Sequence, residues 1–328
     1  MDDNAKMIAA LTVAETADWL RERDDFLILT HRRPDGDAIG CAAALANGLR
    51  EYGKTAYVLH NPDTTPRYLQ FVEEFIAPDG YDTENVITVD TASTELFHKN
   101  SEKYIGRISL CIDHHPSNSG YGILTCLDGS CAACGEVIYD ILLKLAGNVS
   151  AKSAEGLYIA LSTDTGCFAY ANTTANTLRV AAALVEAGAP QRELNRLLFR
   201  TKTRGRVKIE GLIYSGIEFH FDDEVAITTV TRQMMREAGA DEDDVDDIAS
   251  IPGSIKGVRA GITLRELSSE NDVKVSVRTG PSVNSHDICV RFGGGGHPMA
   301  AGFTLNAPVA EVKERLLKAL MDFFPGKA

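Results

Sequence analysis

His31, Asp35 and Asp37 bring one imidazole and two carboxylates together in the stretch Thr30-His31-Arg32-Arg33-Pro34-Asp35-Gly36-Asp37. That donor set suits Mn²⁺, Mg²⁺ or Zn²⁺. Pro34 and Gly36 make the turn tight enough for both acids to face one pocket. An Asp-Gly-Asp turn is equally an ordinary turn or helix cap, so the elements around it must decide. The apolar run Phe26 to Leu29 predicts a buried parallel strand, and Ala38 to Tyr52, alanine- and leucine-rich without interior proline, predicts the helix after it. The turn then lies beyond the carboxyl end of a strand, where open α/β sheets bind their ligands.

Three more segments deliver chemistry to the same edge. The strand Val86 to Val89 ends on Asp90, the strand Ile108 to Ile112 ends on Asp113-His114-His115, and the helix Ala154 to Ser162 runs into Asp164. His31, Asp35, Asp37, Asp90, His114 and Asp164 supply two imidazoles and four carboxylates, enough for two divalent cations. Without cations such carboxylates would raise one another's pKa, so the cluster makes better physical sense filled. Two cations about 3.5–4 Å apart clamp an in-line displacement at phosphorus.

These segments belong to an alternation of strands and helices that reads as an α/β fold with a doubly wound, mostly parallel sheet over residues 1–190. An amphipathic helix before Asp24 (Ala14, Ala17, Trp19, Leu20), a strand at 57–59 and helices at 66–74 and 131–146 complete it. Residues 191–216 read as a helical connector whose Arg200, Lys202, Arg204, Arg206 and Lys208 form a solvated face or border the active-site cleft. Residues 217–328 form a smaller α+β domain, with strands at 225–230, 257–264 and 273–277 and an amphipathic helix at 309–323. Its acidic run 241–247 is assigned to solvent and to the helix dipole.

With 328 residues the chain can bury two cores. A formal charge of −13 excludes wrapping long nucleic acid, while leaving room for a small phosphate-bearing substrate. The acidic start with few apolar residues at 7–11 argues against a signal peptide and no apolar run spans a membrane, so the expected compartment is the cytoplasm. Seven scattered cysteines read as reduced core residues. The lone Cys131-x-x-Cys134 reads as a helix start in preference to a zinc or redox module. His60, His98, His220 and His286 match no ligand spacing.

The motifs His31-x-x-x-Asp35-x-Asp37, Asp90, Asp113-His114-His115 and Asp164, followed by Gly293-Gly294-Gly295-Gly296-His297, resemble the DHH phosphoesterase superfamily with its C-terminal DHH-associated domain, over nearly the whole chain. The resemblance implies His31 and Asp35 on one Mn²⁺ or Mg²⁺, Asp37, His114 and Asp164 on the other, Asp90 bridging, and water as nucleophile. Asp113 is then expected to fix the His114 tautomer, since metal-bound imidazoles usually donate their second N–H, and His115 to meet the substrate phosphate. In the second domain Gly294, Gly295 and Gly296 allow backbone N–H groups to approach a phosphate. His297 and Arg278 add charge there, and Ser276 and Arg291 are further candidates. Phe168 or Tyr170 could stack on a nucleobase. Relatives often carry an arginine where this chain has Ala169.

The implied activity is hydrolysis of short oligoribonucleotides to mononucleotides and of pAp to AMP in a cleft between the domains, with a homodimer as a compatible assembly. The rivals are a cyclic or linear dinucleotide phosphodiesterase acting on c-di-AMP, pApA or pGpG, and a non-catalytic nucleotide-binding regulator on the same fold.

Overall fold

The computed structural model describes residues 9–245, 247–267 and 271–326. Most of the segment read for a signal peptide therefore lies outside the described residues. The chain divides into two compact units, residues 1–201 and 202–328.

In chain order the first unit holds β1 (Ala9–Ala10), α1 (Val13–Arg21), β2 (Phe26–Leu29), α2 (Gly36–Glu51), β3 (Ala56–Val58), α3 (Pro66–Val72), β4 (Asn85–Val89), β5 (Ile108–Asp113), β6 (Leu124–Leu127), α4 (Cys134–Ala146), α5 (Ala151–Asp164), α6 (Ala175–Glu186) and α7 (Gln191–Asn195). The strands form one sheet in the order β1-β6-β5-β4-β2-β3, and every pairing is parallel. Both faces are covered, so β2 must be apolar throughout: Phe26 and Ile28 enter the core beneath the helices, while Leu27 and Leu29 pack with Val86, Phe97 and Tyr104. From β2 the chain steps outward to β3 and then crosses back to β4 on the other side of β2. The sheet's topological switch point therefore lies between the carboxyl ends of β2 and β4.

The helix α2 is almost wholly buried and runs against α5. The two backbones approach through glycine. A Cβ on Gly40 would fall 2.2 Å from the Gly156 carbonyl oxygen, and one on Gly156 would fall 2.7 Å from that of Gly40. At the sheet-edge end of the pair, Gly36 rests on the Thr163 side chain.

The second unit holds α8 (Arg204–Ser215), β7 (Glu218–His220), β8 (Val225–Val230), α9 (Arg232–Ala238), β9 (Ala260–Glu266), β10 (Asp272–Thr279), α10 (Ser285–Val290), β11 (Gly295–His297), β12 (Ala300–Asn306) and α11 (Val309–Leu320). Its mixed sheet has the order β11-β12-β10-β9-β8-β7, with only β8 and β9 parallel. One face buries Ile227, Ile262, Val275 and Val277 with Val312, Leu316 and Leu320 of α11. Val230 packs with Ile209 and Ile213 of α8 in a separate cluster.

The segment read as a connector is shared. Leu194 and Leu198 enter the first core, whereas Ile209 and Ile213 enter a core of the second unit. Its basic residues are in part committed to ion pairs. Arg206 meets Glu210 and Asp247 at 2.6 Å each, and Lys202 meets Glu210 at 2.6 Å. In the acidic run, Asp241, Glu242, Asp243 and Asp247 are exposed as expected. Asp244 differs: it is buried and accepts from the Thr203 hydroxyl and the Asp241 N–H, while Glu242 pairs with Arg265 at the surface. Asp246 lies outside the described residues. No helix among the described residues is long and apolar enough to cross a membrane.

A methyl group at Gly156 has no free space, so Gly156→Ala is expected to destabilise the fold by about 1–3 kcal/mol through overpacking. This holds although alanine is intrinsically the better helix former by about 1 kcal/mol. Denaturant unfolding of the two forms measures the difference.

Candidate metal centre

The six residues singled out as ligands converge at the switch point. His31 follows β2 and Asp90 follows β4, while His114 and His115 follow β5. Asp35 and Asp37 open α2, and Asp164 closes α5. Three donor groups lie within mutual ligand reach: His31, Asp35 and Asp90; Asp37, His114 and Asp164; and Asp90, His114 and His115. Asp90 adjoins both sets of predicted ligands, with one oxygen 3.8 Å from His31 Nε2 and the other 3.5 Å from His114 Nε2. His114 Nε2 is also 3.8 Å from both Asp37 Oδ2 and Asp164 Oδ2. Such separations are too long for hydrogen bonds, but they suit two donors sharing one cation through bonds of about 2.1 Å.

Local structure explains why these atoms stay apart and exposed to one another. Asp35 is the N-cap of α2: its Oδ1 accepts from the N–H groups of Asp37 and Ala38 at 3.1 Å each. Capping through Oδ1 leaves Asp35 among the groups that could hold a metal ion. Asp37 is itself held by α4, whose first N–H groups, on Cys134 and Gly135, donate to it at 2.7 and 3.1 Å, while the Cys41 thiol donates at 3.1 Å. Asp90 has φ of +51°, a left-handed conformation that aspartate tolerates better than most residues. Its Oδ1 is buried without any hydrogen-bond partner. A fully buried carboxylate oxygen with no donor, faced by imidazole nitrogens, is what a cation site provides and what a purely structural site avoids.

The electrostatics agree. Desolvation, reinforced by the charges of Asp37 and Asp35, pushes Asp90 well above the ordinary carboxylate value and Asp164 up to about 8. Asp37 is raised as well, by burial first, against the opposing pull of His114. Protein crowding also works against ionised Asp35, but the His31 ring and the two capping N–H groups outweigh it and hold its pKa low. Burial opposes protonation of His31, yet Asp35 raises its pKa overall.

The imidazoles are aimed by their second nitrogens. His31 Nδ1 faces the Arg32 carbonyl at 2.8 Å and His114 Nδ1 the Cys131 carbonyl at 3.1 Å, leaving each Nε2 for the centre. The expectation that Asp113 orients His114 is therefore corrected. Asp113 Oδ1 accepts from His115 Nδ1 at 2.8 Å and from the backbone N–H of His114, and its Oδ2 accepts from Asn118 at 2.6 Å. The reason is that His114 Nδ1 already faces the Cys131 carbonyl, which leaves Asp113 to His115 Nδ1. Hydrogen bonding to Asp113 raises the pKa of His115. Asn118, Cys41 and the Cys131 carbonyl were not anticipated. Only the Cys-x-x-Cys pair, read as a helix start, marked part of this support.

In the second unit the register places Ser276, Gly302 and Gly295 in one row across β10, β12 and β11, and Arg278, Ala300 and His297 in the next. Residues directly opposite share a face, so Ser276, Arg278 and His297 border a shelf floored by small residues. The glycines have a structural role too. A Cβ on Gly294 would meet the Gly302 carbonyl at 2.3 Å, and one on Gly296, at φ of +140°, the Ala300 carbonyl at 2.6 Å; a Cβ on Gly295 meets nothing closer than 3.7 Å. His286, set aside in the sequence, reaches this strand, with Nδ1 2.9 Å from the Gly296 carbonyl. Arg291 is placed elsewhere, paired with Asp322 and stacked 4.6 Å over Phe323. Phe168 is partly buried, packed against the core and edge-on to Tyr158 at 5.9 Å.

Comparison with known proteins bears on the same residues. Residues 25–161 match the DHH family N-terminal domain and residues 222–325 the DHHA1 domain. The bifunctional oligoribonuclease and PAP phosphatase NrnA of Thermus thermophilus is 35% identical over 300 residues, covering 90% of this chain and 89% of the relative. The protein of the same name from Bacillus subtilis is 29% identical over 289 residues, covering 86% and 90%. An exopolyphosphatase-related protein from Bacteroides fragilis has the same fold, with a TM-score of 0.85 at 22% identity over 95% of this chain and 96% of that one.

The raised acids carry a consequence for stability. Between the ordinary carboxylate value and about pH 8, the cation-free native state keeps a proton on Asp164 that the unfolded chain has released. Stability must fall as pH rises through that window. His31 and His115, also raised, act in the same direction near neutrality. In chelator the melting temperature is expected to drop from about pH 5.5 to about pH 8.5, and added Mn²⁺ to restore most at the upper end. A chelated protein equally stable throughout would contradict this electrostatic reading.

Proposed function

The chain belongs to the DHH family, and from that membership we propose that it is a phosphoesterase using two divalent cations, Mn²⁺ foremost, to hydrolyse short oligoribonucleotides to mononucleotides and pAp to AMP. The observation that carries this reading is Asp90, buried, unpartnered and adjoining both halves of the ligand set. His31 and Asp35 would hold one cation, Asp37, His114 and Asp164 the other, with Asp90 between them. Imidazole with carboxylate oxygens suits Mn²⁺ or Mg²⁺. When bound, such a pair supplies Lewis acidity at the phosphoryl oxygens and lowers the pKa of water at neutral pH.

The remaining roles fall to the chain's own groups. Asp113, anchored by Asn118, fixes the His115 ring with Nδ1 engaged and Nε2 free. Hydrogen bonding to Asp113 raises the His115 pKa, which favours Nε2 as a donor to a substrate phosphate oxygen. Asp37, immobilised by the N-terminus of α4 and the Cys41 thiol, keeps its place while the site fills. The shelf of the second unit, with Ser276, Arg278, the Gly294–Gly296 backbone and His297, is assigned to substrate phosphate. The overall negative charge accords with small substrates held locally in preference to long nucleic acid.

The test is product analysis with Mn²⁺ on pAp, a linear dinucleotide, a five-nucleotide RNA, cyclic di-AMP and pyrophosphate. Mononucleotides from the short RNAs and AMP from pAp are expected; turnover of cyclic di-AMP alone would favour the rival phosphodiesterase, and binding without turnover a regulator. Asp90→Asn, which keeps the shape and tolerates the left-handed backbone, should lose roughly 10³-fold or more of the activity. The same variant should melt higher than the parent in chelator, because a buried unpartnered carboxylate has been removed. His297→Ala should raise KM on pAp with kcat little changed, and unaltered kinetics would remove that shelf from substrate binding.

A further inference from the structure

Beyond Asp164 the chain passes through a turn in which three consecutive residues, Gly166, Cys167 and Phe168, have φ of +56°, +57° and +65°. Glycine enters that region freely; cysteine and phenylalanine do so only when their surroundings over-determine it. The surroundings here do. The Cys167 N–H donates to the Ser162 carbonyl at 2.6 Å and the Phe168 N–H to Thr165 Oγ1 at 3.0 Å. Asn172 Nδ2 ties the far side of the turn to the Asp164 and Ala132 carbonyls at 3.1 Å each. The Phe168 ring is anchored on Tyr158.

What this rigid turn leaves outside is Tyr170, 59% exposed. The ring is nonetheless seated: a Cβ built on Gly166 would fall 2.4–2.7 Å from three of its ring carbons, so the ring rests against a position that only glycine can leave open. A strained turn that pins one aromatic against the core and presents the next, supported from behind, at the end of a ligand-bearing helix has no packing purpose for the second ring. A supported, exposed aromatic face is what base stacking requires, and stacking accepts any base because each has a π face.

We propose that Tyr170 is the platform on which a nucleobase of the substrate stacks, positioned by the turn at Gly166–Phe168 that directly follows Asp164. Tyr170 thus makes the enzyme selective for phosphoesters that carry a base, without choosing among bases. The inference rests on the phosphoesterase reading and names the part of the substrate that the metal centre does not contact.

The experiment is steady-state kinetics of the Mn²⁺-loaded full chain on a linear dinucleotide and on its abasic counterpart, read as the ratio of their kcat/KM values. Tyr170→Ala is expected to lower that ratio by roughly 5- to 100-fold, the range for loss of one base–aromatic stack, and mainly through KM for the base-bearing substrate. Tyr170→Phe should keep the ratio within about twofold, whereas Tyr170→Leu, which preserves apolar area without a π face, should fall with the alanine variant. An unchanged ratio in Tyr170→Ala, with the parent active, would overturn the role of Tyr170 alone. Absence of turnover by the parent on both substrates would overturn the phosphoesterase reading and this inference with it.

Discussion

Mutual repulsion among four carboxylates gathered at one end of a sheet is the constraint around which the first unit is built. Asp37 and Asp90 are buried beside the more exposed Asp35 and Asp164, and desolvation drives Asp37, Asp90 and Asp164 toward their neutral forms. A fold would not gather such groups for stability. Each is held in place by local structure: a helix cap for Asp35, a helix N-terminus and a thiol for Asp37, a left-handed backbone for Asp90 and the end of a buried helix for Asp164. The scaffold therefore imposes the geometry, and bound cations would relieve its cost.

That scaffold is the close pairing of α2 and α5. Gly40 and Gly156 let the two backbones approach, and Gly36 on Thr163 carries the approach up to the ligand-bearing ends, which places Asp37 and Asp164 on either side of His114. The parallel sheet contributes the remaining groups through its topology. Because the chain reverses direction across β2, the ends of β2 and β4 open a crevice and deliver His31 and Asp90 into it from adjacent strands. Packing precision far from the reacting atoms and ligand geometry at the site are thus one property.

Much of this was legible in the chain. The strands ending on Asp90 and on Asp113-His114-His115 are short and mostly apolar, and such runs announce both a buried strand and the place where its chemistry emerges. The pairing of Asp113 with His115 was not legible, since it depends on the Cys131 carbonyl, distant in sequence, engaging His114 Nδ1. Nor was the grip of α4 on Asp37, a contact across nearly a hundred residues between a carboxylate and backbone N–H groups that no side-chain pattern encodes. The strands β1, β7 and β11 are too short for a periodic signal, and Asp247 beside Arg206 and Asp322 beside Arg291 are acids distant in sequence. The glycines of 293–296 carry two demands at once, close approach to β12 and an open shelf, and the sequence alone suggests only the second.

The central claim is that one buried carboxylate, Asp90, joins two cation sites. Its most direct test is calorimetric titration of the chelated protein with Mn²⁺, beside the Asp90→Asn variant, with bound metal counted by elemental analysis. Two cations per chain are expected, with both affinities weakened in the variant. A single cation per chain, or two whose affinities ignore the substitution, would contradict the account.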